Sequence, residues 1–152
     1  MADASTTLEA LRARVGTELG RSRWVDVTQA RIATFADATD DHQWIHVDEA
    51  RAARESPFGT TVAHGFLTLS LLPSLLADVL DFSDAKLVVN YGLNKVRFPA
   101  PLPSGSRVRA VIVLAALGEE GGAAQLTLDV TVEREGGTKP VCVAEFLVRR
   151  YG

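Results

Sequence analysis

Two rhythms of polarity run along the 152 residues. In the first half apolar positions recur every three or four residues, the spacing of one helix face. In the second half stretches of alternation appear, the period of a strand. Leu8, Leu11 and Val15 follow the helical spacing behind Ser5 and Thr6, predicting a short helix over 5–15. "RWVDVT" (23–28) reads as a short strand. Thr28 can then cap a helix reaching about Ala38, with Ile32, Phe35 and Ala36 on its buried stripe. "TDDHQWI" breaks that pattern and reads as a loop, and Asp48 can cap a second helix, "EARAARE". "SPFGTTVAHG" follows as a connection bounded by proline and glycine.

Residues 66–80 are apolar on nearly every side, from Phe66 to Leu80, which predicts a buried helix. Pro73 inside it removes one backbone bond and predicts a kink or a restart there. Beyond it, residues 85–98, 106–117, 123–134 and 139–150 are rich in Val and Leu and read as strands. "PAPLPSG", "GEEGG" and "EGGT" separate them, and the last two are hairpin signals. The expectation is an antiparallel meander, one sheet curled around one buried helix. One domain over 1–152 accommodates this, with 1–21 as an N-terminal helical extension.

Composition narrows the class. Hydrophobic residues make up 47% and charged residues 23%, which is a globular balance and not a disordered one. The net charge is −3 with Lys and Arg scattered, and this argues against nucleic acid, which needs a concentrated basic face. Cys142 is the single cysteine, so no internal disulfide forms and a reducing compartment is natural. The N-terminus lacks the apolar run of a secretory signal. The apolar run around 65–80 falls short of the roughly 20 residues that span a bilayer. A cytoplasmic protein is expected.

All three histidines, His42, His46 and His64, lie between residues 39 and 65. Histidine is suited to moving protons near neutral pH, so a site is expected in this region. Asp41 and His46 admit two readings of about equal weight: a carboxylate ordering its own loop with an imidazole packed beneath it, or an acid–base pair sharing one water. A metal reading is weaker. His42 and His46 are four apart, as in zinc protease motifs, but Gln43 stands where those motifs have glutamate. In "AHGF" (63–66), Gly65 precedes the buried helix, where free N–H groups can hold a developing negative charge; a plain glycine-started helix is the commoner case.

Taken together, these pieces resemble a known family. "FADATDDHQWIH" (35–46) resembles the F-A-x-x-T/S-G-D-x-N-P-I-H motif of MaoC-like, (R)-specific enoyl-CoA hydratases. "PFGTTVAHGFLTLSLLPSLL" (57–76) resembles the entry to that family's central helix, and "VRFPAPLPSGSRV" (96–108) its R-F-x-x-P-x-x-x-G turn. The similarity covers about residues 22–150. It implies an α+β hotdog fold, a bent antiparallel sheet wrapped around a long central helix, paired as a homodimer. The implied catalytic pair is Asp41 and His46, and the implied oxyanion amide is the backbone N–H of Gly65. Gln43 and Trp44 replace the motif's asparagine and proline, and Asp40 replaces its glycine. A serine that some members carry further along the helix aligns with Pro73, leaving Ser70 or Ser74 as the neighbouring hydroxyls.

The resemblance implies reversible hydration of a trans-2-enoyl-CoA to a (3R)-3-hydroxyacyl-CoA, in fatty acid metabolism, without metal or redox cofactor. Gln43, Trp44, His64 and Phe66 are expected near the substrate. Lys95 and Arg97, with Arg107 and Arg109, are candidates for the CoA phosphates. The substrate carrier is CoA or an acyl carrier protein. The competing functions are a hotdog acyl-CoA thioesterase and a non-catalytic acyl-binding or dimerisation subunit.

Overall fold

The computed structural model describes residues 7–152. Ser5 and Thr6, expected to cap the first helix, lie outside the described residues. Thr7 does the capping: its hydroxyl accepts from Ala10 N–H at 3.2 Å. The helix it starts, α1 (Leu8–Arg12), is shorter than the sequence suggested. Residues expected to belong to a helical extension instead form strand β1 (Glu18–Arg21). That strand is short and carries Gly20, so no alternation marks it; pairing with another strand holds it extended.

β2 (Val25–Val27) and α2 (Gln29–Thr39) follow as expected, with Thr28 accepting from Arg31 N–H at 3.1 Å. Asp40 ends α2 in the left-handed conformation (φ 62°, ψ 21°). The expected loop then contains one helical turn, α3 (Trp44–Val47), before α4 (Glu49–Glu55). Asp48 caps α4 through Arg51 N–H at 3.0 Å.

The central apolar segment forms two short helices, α5 (Gly65–Ser70) and α6 (Leu72–Leu76). Pro73 sits in the first turn of α6, where its missing N–H costs nothing, so the chain restarts there rather than bending. Leu72, Leu75 and Leu76 are buried, but Phe66 is 68% exposed, so the segment is not apolar-buried all round. Arg23 pairs with Asp78 at 2.7 Å just beyond α6.

Four long strands complete the sheet: β3 (Leu87–Arg97), β4 (Ser106–Glu120), β5 (Ala123–Arg134) and β6 (Cys142–Tyr151). Every pairing is antiparallel, and the order is β1-β4-β5-β6-β3, with β2 also on β4. The meander therefore holds for β4 to β6 only. β3 pairs with β6 at the edge instead of with β4. The reason lies in residues 98–105, whose prolines cannot build a tight hairpin ladder. That segment crosses the molecule and backs onto residues 61–63: Ala63 N–H donates to Leu102 O at 2.8 Å, and Ser104 N–H to Thr61 O at 2.9 Å. Register shifts in β3 and β4 bend the sheet around α5 and α6. The core is the concave face, where Ile112, Leu114, Leu126 and Leu128 are fully buried beneath Leu75 and Leu80.

Candidate active site

The site forms where two connections meet, the turn 40–46 and the segment 61–65. Neither lies in the sheet, and backbone bonds pin both. Val62 N–H donates to Ile45 O at 3.0 Å. Gln29 on α2 bridges them, its amide donating to His46 O at 2.8 Å and its oxygen accepting from the Thr61 hydroxyl at 2.6 Å.

His46 is buried, and its Nδ1 lies 2.7 Å from Val62 O. A carbonyl only accepts, so Nδ1 carries the proton and Nε2 keeps its lone pair. Burial draws the His46 pKa below its ordinary value of 6.5. The Val62 bond opposes this, His64 adds to the lowering, and Asp41 opposes it. The net effect keeps a neutral base near pH 7. Asp41 is exposed, and one of its carboxylate oxygens accepts from Gln43 N–H at 3.4 Å.

One oxygen of Asp41 and one ring nitrogen each of His46 and His64 lie within 4.8 Å of one another. A separation of at most 4.8 Å is short enough for one water, bonded at about 2.8 Å to each, to reach both Asp41 and His46. It suits a metal poorly. The His46 and His64 rings stack at 3.8 Å and 22°, so their in-plane lone pairs run side by side instead of converging as ligation requires. The pairing first considered for a metal, His42 with His46, is not formed: His42 Nε2 meets Asp37 at 2.9 Å on the exposed side of α2.

Gly65 begins α5, so its N–H belongs to the turn that a helix cannot satisfy internally. A side chain there has no room, since a Cβ would stand 2.8 Å from Cδ2 of Phe98. Phe98 and Gly65 wall an apolar cavity of about 300 Å³ that Ile45, Phe58, Thr68 and Leu102 also line. A larger hollow of about 370 Å³, at the β4–β5 turn beside Arg150, contains none of the site residues.

The remaining sequence candidates are dispersed. Gln43 caps α3, and Trp44 is half-buried under the Arg51 guanidinium, 4.2 Å from its ring centre. His64 is 2% exposed, packed behind His46, and does not present its side chain to solvent. Phe66 is exposed and meets Phe98 edge-on at 6.2 Å. Lys95 lies on the far side of the sheet among Asp129 and Glu145, away from the cluster. Arg97 donates to Val96 O at 2.7 Å, one residue from Phe98. Arg107 is paired with Asp26 and Glu135, and Arg109 with Glu133. Ser70 donates to Phe66 O and Ser74 accepts from Arg23, so both hydroxyls serve local structure. Cys142 is buried with its thiol pushed up to about 11, which disqualifies it as a nucleophile.

Sequence reasoning missed Gln29, Thr61 and Thr68. Thr68, 1% exposed in an apolar helix, is the one whose residue type could have drawn notice.

Known proteins share this arrangement of elements. A family model described as the MaoC like domain matches residues 10–136. The 3-hydroxyacyl-thioester dehydratase Z of Mycobacterium tuberculosis is 56% identical over 140 residues, covering 91% of this chain and 92% of that protein. Nodulation protein N of Rhizobium leguminosarum bv. viciae is 47% identical over 136 residues, covering 88% and 84%. Among solved structures, the (R)-hydratase from A. caviae involved in PHA biosynthesis matches with a TM-score of 0.69 at 28% identity, covering 88% of this chain and 94% of that one. The curled sheet around α5 and α6 is thus the hotdog fold, and the chain belongs to the family of MaoC-like dehydratases.

Proposed function

We propose that this protein is a hydro-lyase that reversibly hydrates a trans-2-enoyl thioester to the (3R)-3-hydroxyacyl thioester, in fatty acid metabolism. The observation that carries the residue assignment is the approach of Asp41 to within 4.8 Å of a His46 whose Nδ1–H is committed to Val62. Asp41, ionised, and His46, neutral, hold one water. Its oxygen bonds to the β-carbon, one of its protons is relayed through the pair to the α-carbon, and the other stays on the new hydroxyl. The β-carbon is electrophilic only while the thioester oxygen can take up charge, and Gly65 N–H is the donor placed for it. The acyl chain enters the apolar cavity beside Gly65 and Phe98.

CoA is the proposed carrier. Arg97, next to Phe98 at the cavity, is the cation best placed for its phosphates; Lys95 is not. The working form is proposed to be a homodimer. β3 is an edge strand pairing only with β6, and it exposes Leu87, Val89, Tyr91 and Leu93. Such an edge invites a second copy. No helix among the described residues is long and apolar enough to cross a membrane. The free Cys142 suits the cytoplasm.

Hydration of crotonyl-CoA and longer enoyl-CoAs, followed by loss of the conjugated thioester absorbance, tests the reading. Asp41→Asn with wild-type turnover would overturn it. Release of free thiol instead of hydration would move the assignment to a thioesterase.

A further inference from the structure

We propose that His64 is a positioning residue that holds Asp41 and His46 in register through its imidazole and the Gly65 amide through its main chain. This deepens the hydratase reading and rests on it. Three contacts of one residue carry the inference. Its Nε2 lies 3.0 Å from Asp41 O, and because a carbonyl accepts, Nε2 is the protonated nitrogen. Its ring face stacks on His46 at 3.8 Å, and Phe35 packs against it at a tilt of 56°, 4.9 Å between ring centres. Its own peptide leads into Gly65, for which it is the helix cap.

Each contact settles one component. Asp41 is exposed, follows a left-handed residue and has only a long 3.4 Å bond to its carboxylate. The His64 bond fixes its main chain and hence where the carboxylate starts. His46 is held at Nδ1 by Val62, which leaves the ring free to pivot about that bond unless something lies against its face. His64 is that surface. The cap conformation of His64 (φ −61°, ψ 137°) then sets the direction of the next N–H.

A filler would be chosen differently. His64 is 2% exposed and its Nδ1 is buried without a hydrogen-bond partner among the described residues. An apolar ring of the same size would avoid that orphaned nitrogen, so the retained polarity has to serve the Nε2 donor. Burial also removes His64 from direct contact with substrate, which makes its role indirect. The titratable groups facing His46 are Asp41 from the turn and His64 from the cap of α5, and His64 acts to lower the His46 pKa.

Two variants separate the contacts. His64→Phe keeps the stacked ring and loses the donor. His64→Gln keeps an N–H near the Nε2 position and loses the ring. Misplacement of a catalytic group typically costs about 10- to 100-fold in rate. His64→Phe is expected to lose kcat in that range with KM changed by no more than about 3-fold, and His64→Gln to recover part of it. Wild-type kcat in His64→Phe would overturn the proposal. So would equal losses in both variants that merely track thermal stability. Imidazole nitrogen NMR of the wild-type protein decides the matter even if neither variant folds. The expected form at pH 7 is Nε2–H with a bare Nδ1; an Nδ1–H or doubly protonated His64 refutes it. That measurement needs no substrate, so failure of the wild type to hydrate any enoyl-CoA would sink the hydratase reading alone.

Discussion

The β4–β5 ribbon and the junction of residues 40–46 with 61–65 are built on opposite principles. The ribbon pairs from Val108 against Arg134 to Glu120 against Ala123, with one register shift between Leu114 and Ala116. On its inner face Ile112, Leu114, Leu128 and Val132 are wholly buried, and each contributes by volume and apolar area. The junction buries polar groups singly, each matched to one atom: His46 to Val62 O, His64 to Asp41 O, Gln29 to His46 O. Stability resides in the first and the proposed chemistry in the second, so substitutions in the two regions should separate cleanly.

The largest separation comes from the pair itself. Asp41→Asn and His46→Ala each remove one party to the proposed proton transfer, worth about 10²- to 10⁴-fold in kcat. Asp41→Asn should leave the melting temperature nearly unchanged, since Asp41 is exposed. Turnover of crotonyl-CoA and a thermal melt on the same sample check both halves. Leu128→Ala should do the reverse, destabilising by about 2–5 kcal/mol while kcat per folded molecule stays at the wild-type value. Denaturant unfolding beside the rate assay would expose any leakage between the regions.

Gly65→Ala blurs the line in a defined way. The added Cβ meets Phe98 at 2.8 Å, so the ring has to swing away and the cavity wall changes shape. A rate loss of about 10-fold is expected. Adding Phe98→Ala to that variant should restore part of it, and a double variant no better than the single one would show that the contact is not the cause.

The pH profile sharpens the comparison further. Burial, aided by His64 and opposed by the Val62 bond and Asp41, depresses the His46 pKa, so the base stays neutral and the acid limb of kcat/KM falls below pH 6.5. The same depression has a sign for stability. Below pH 6.5 the unfolded chain binds a proton that folded His46 resists, so stability is lost as pH falls through that window to the folded pKa. His46→Ala should flatten that slope in equilibrium unfolding. The smallest effect belongs to His42, whose pairing with Asp37 is solvent-exposed. His42→Ala should change stability by less than about 1 kcal/mol and turnover by less than about 2-fold.

The contrast also explains what could be read from the residues. α2 and strands β4 to β6 were legible because each packs against a continuous surface, which imposes a period, and α4 because Asp48 caps it. β1 was not: four residues with Gly20 carry no alternation, and a partner nearly a hundred positions away holds them. The β3–β6 pairing was missed for the same reason: a plain meander was expected, and nothing local in residues 98–105 records where the chain goes. In the junction, residue types and their resemblance to a motif singled out Asp41, His46 and Gly65. They placed His64 beside the substrate, whereas it is buried, because its contacts reach back to residues 41 and 46 and no local pattern records them. Arg107 and Arg109 looked available for phosphate, and the acids that claim them lie on β2 and β5 and in the turn after β5.

Asp40 sits in left-handed backbone at the end of α2, at the position where the family motif has glycine. Aspartate is among the few side chains that tolerate this region. What this turn requires at the position is therefore a torsion angle and not a letter, and glycine reaches the same region freely. A search that insisted on glycine before the aspartate would discard this chain, although its backbone takes a conformation open to glycine. Signatures for such turns are better written as permitted backbone conformations, with the residues that can occupy them left as a set.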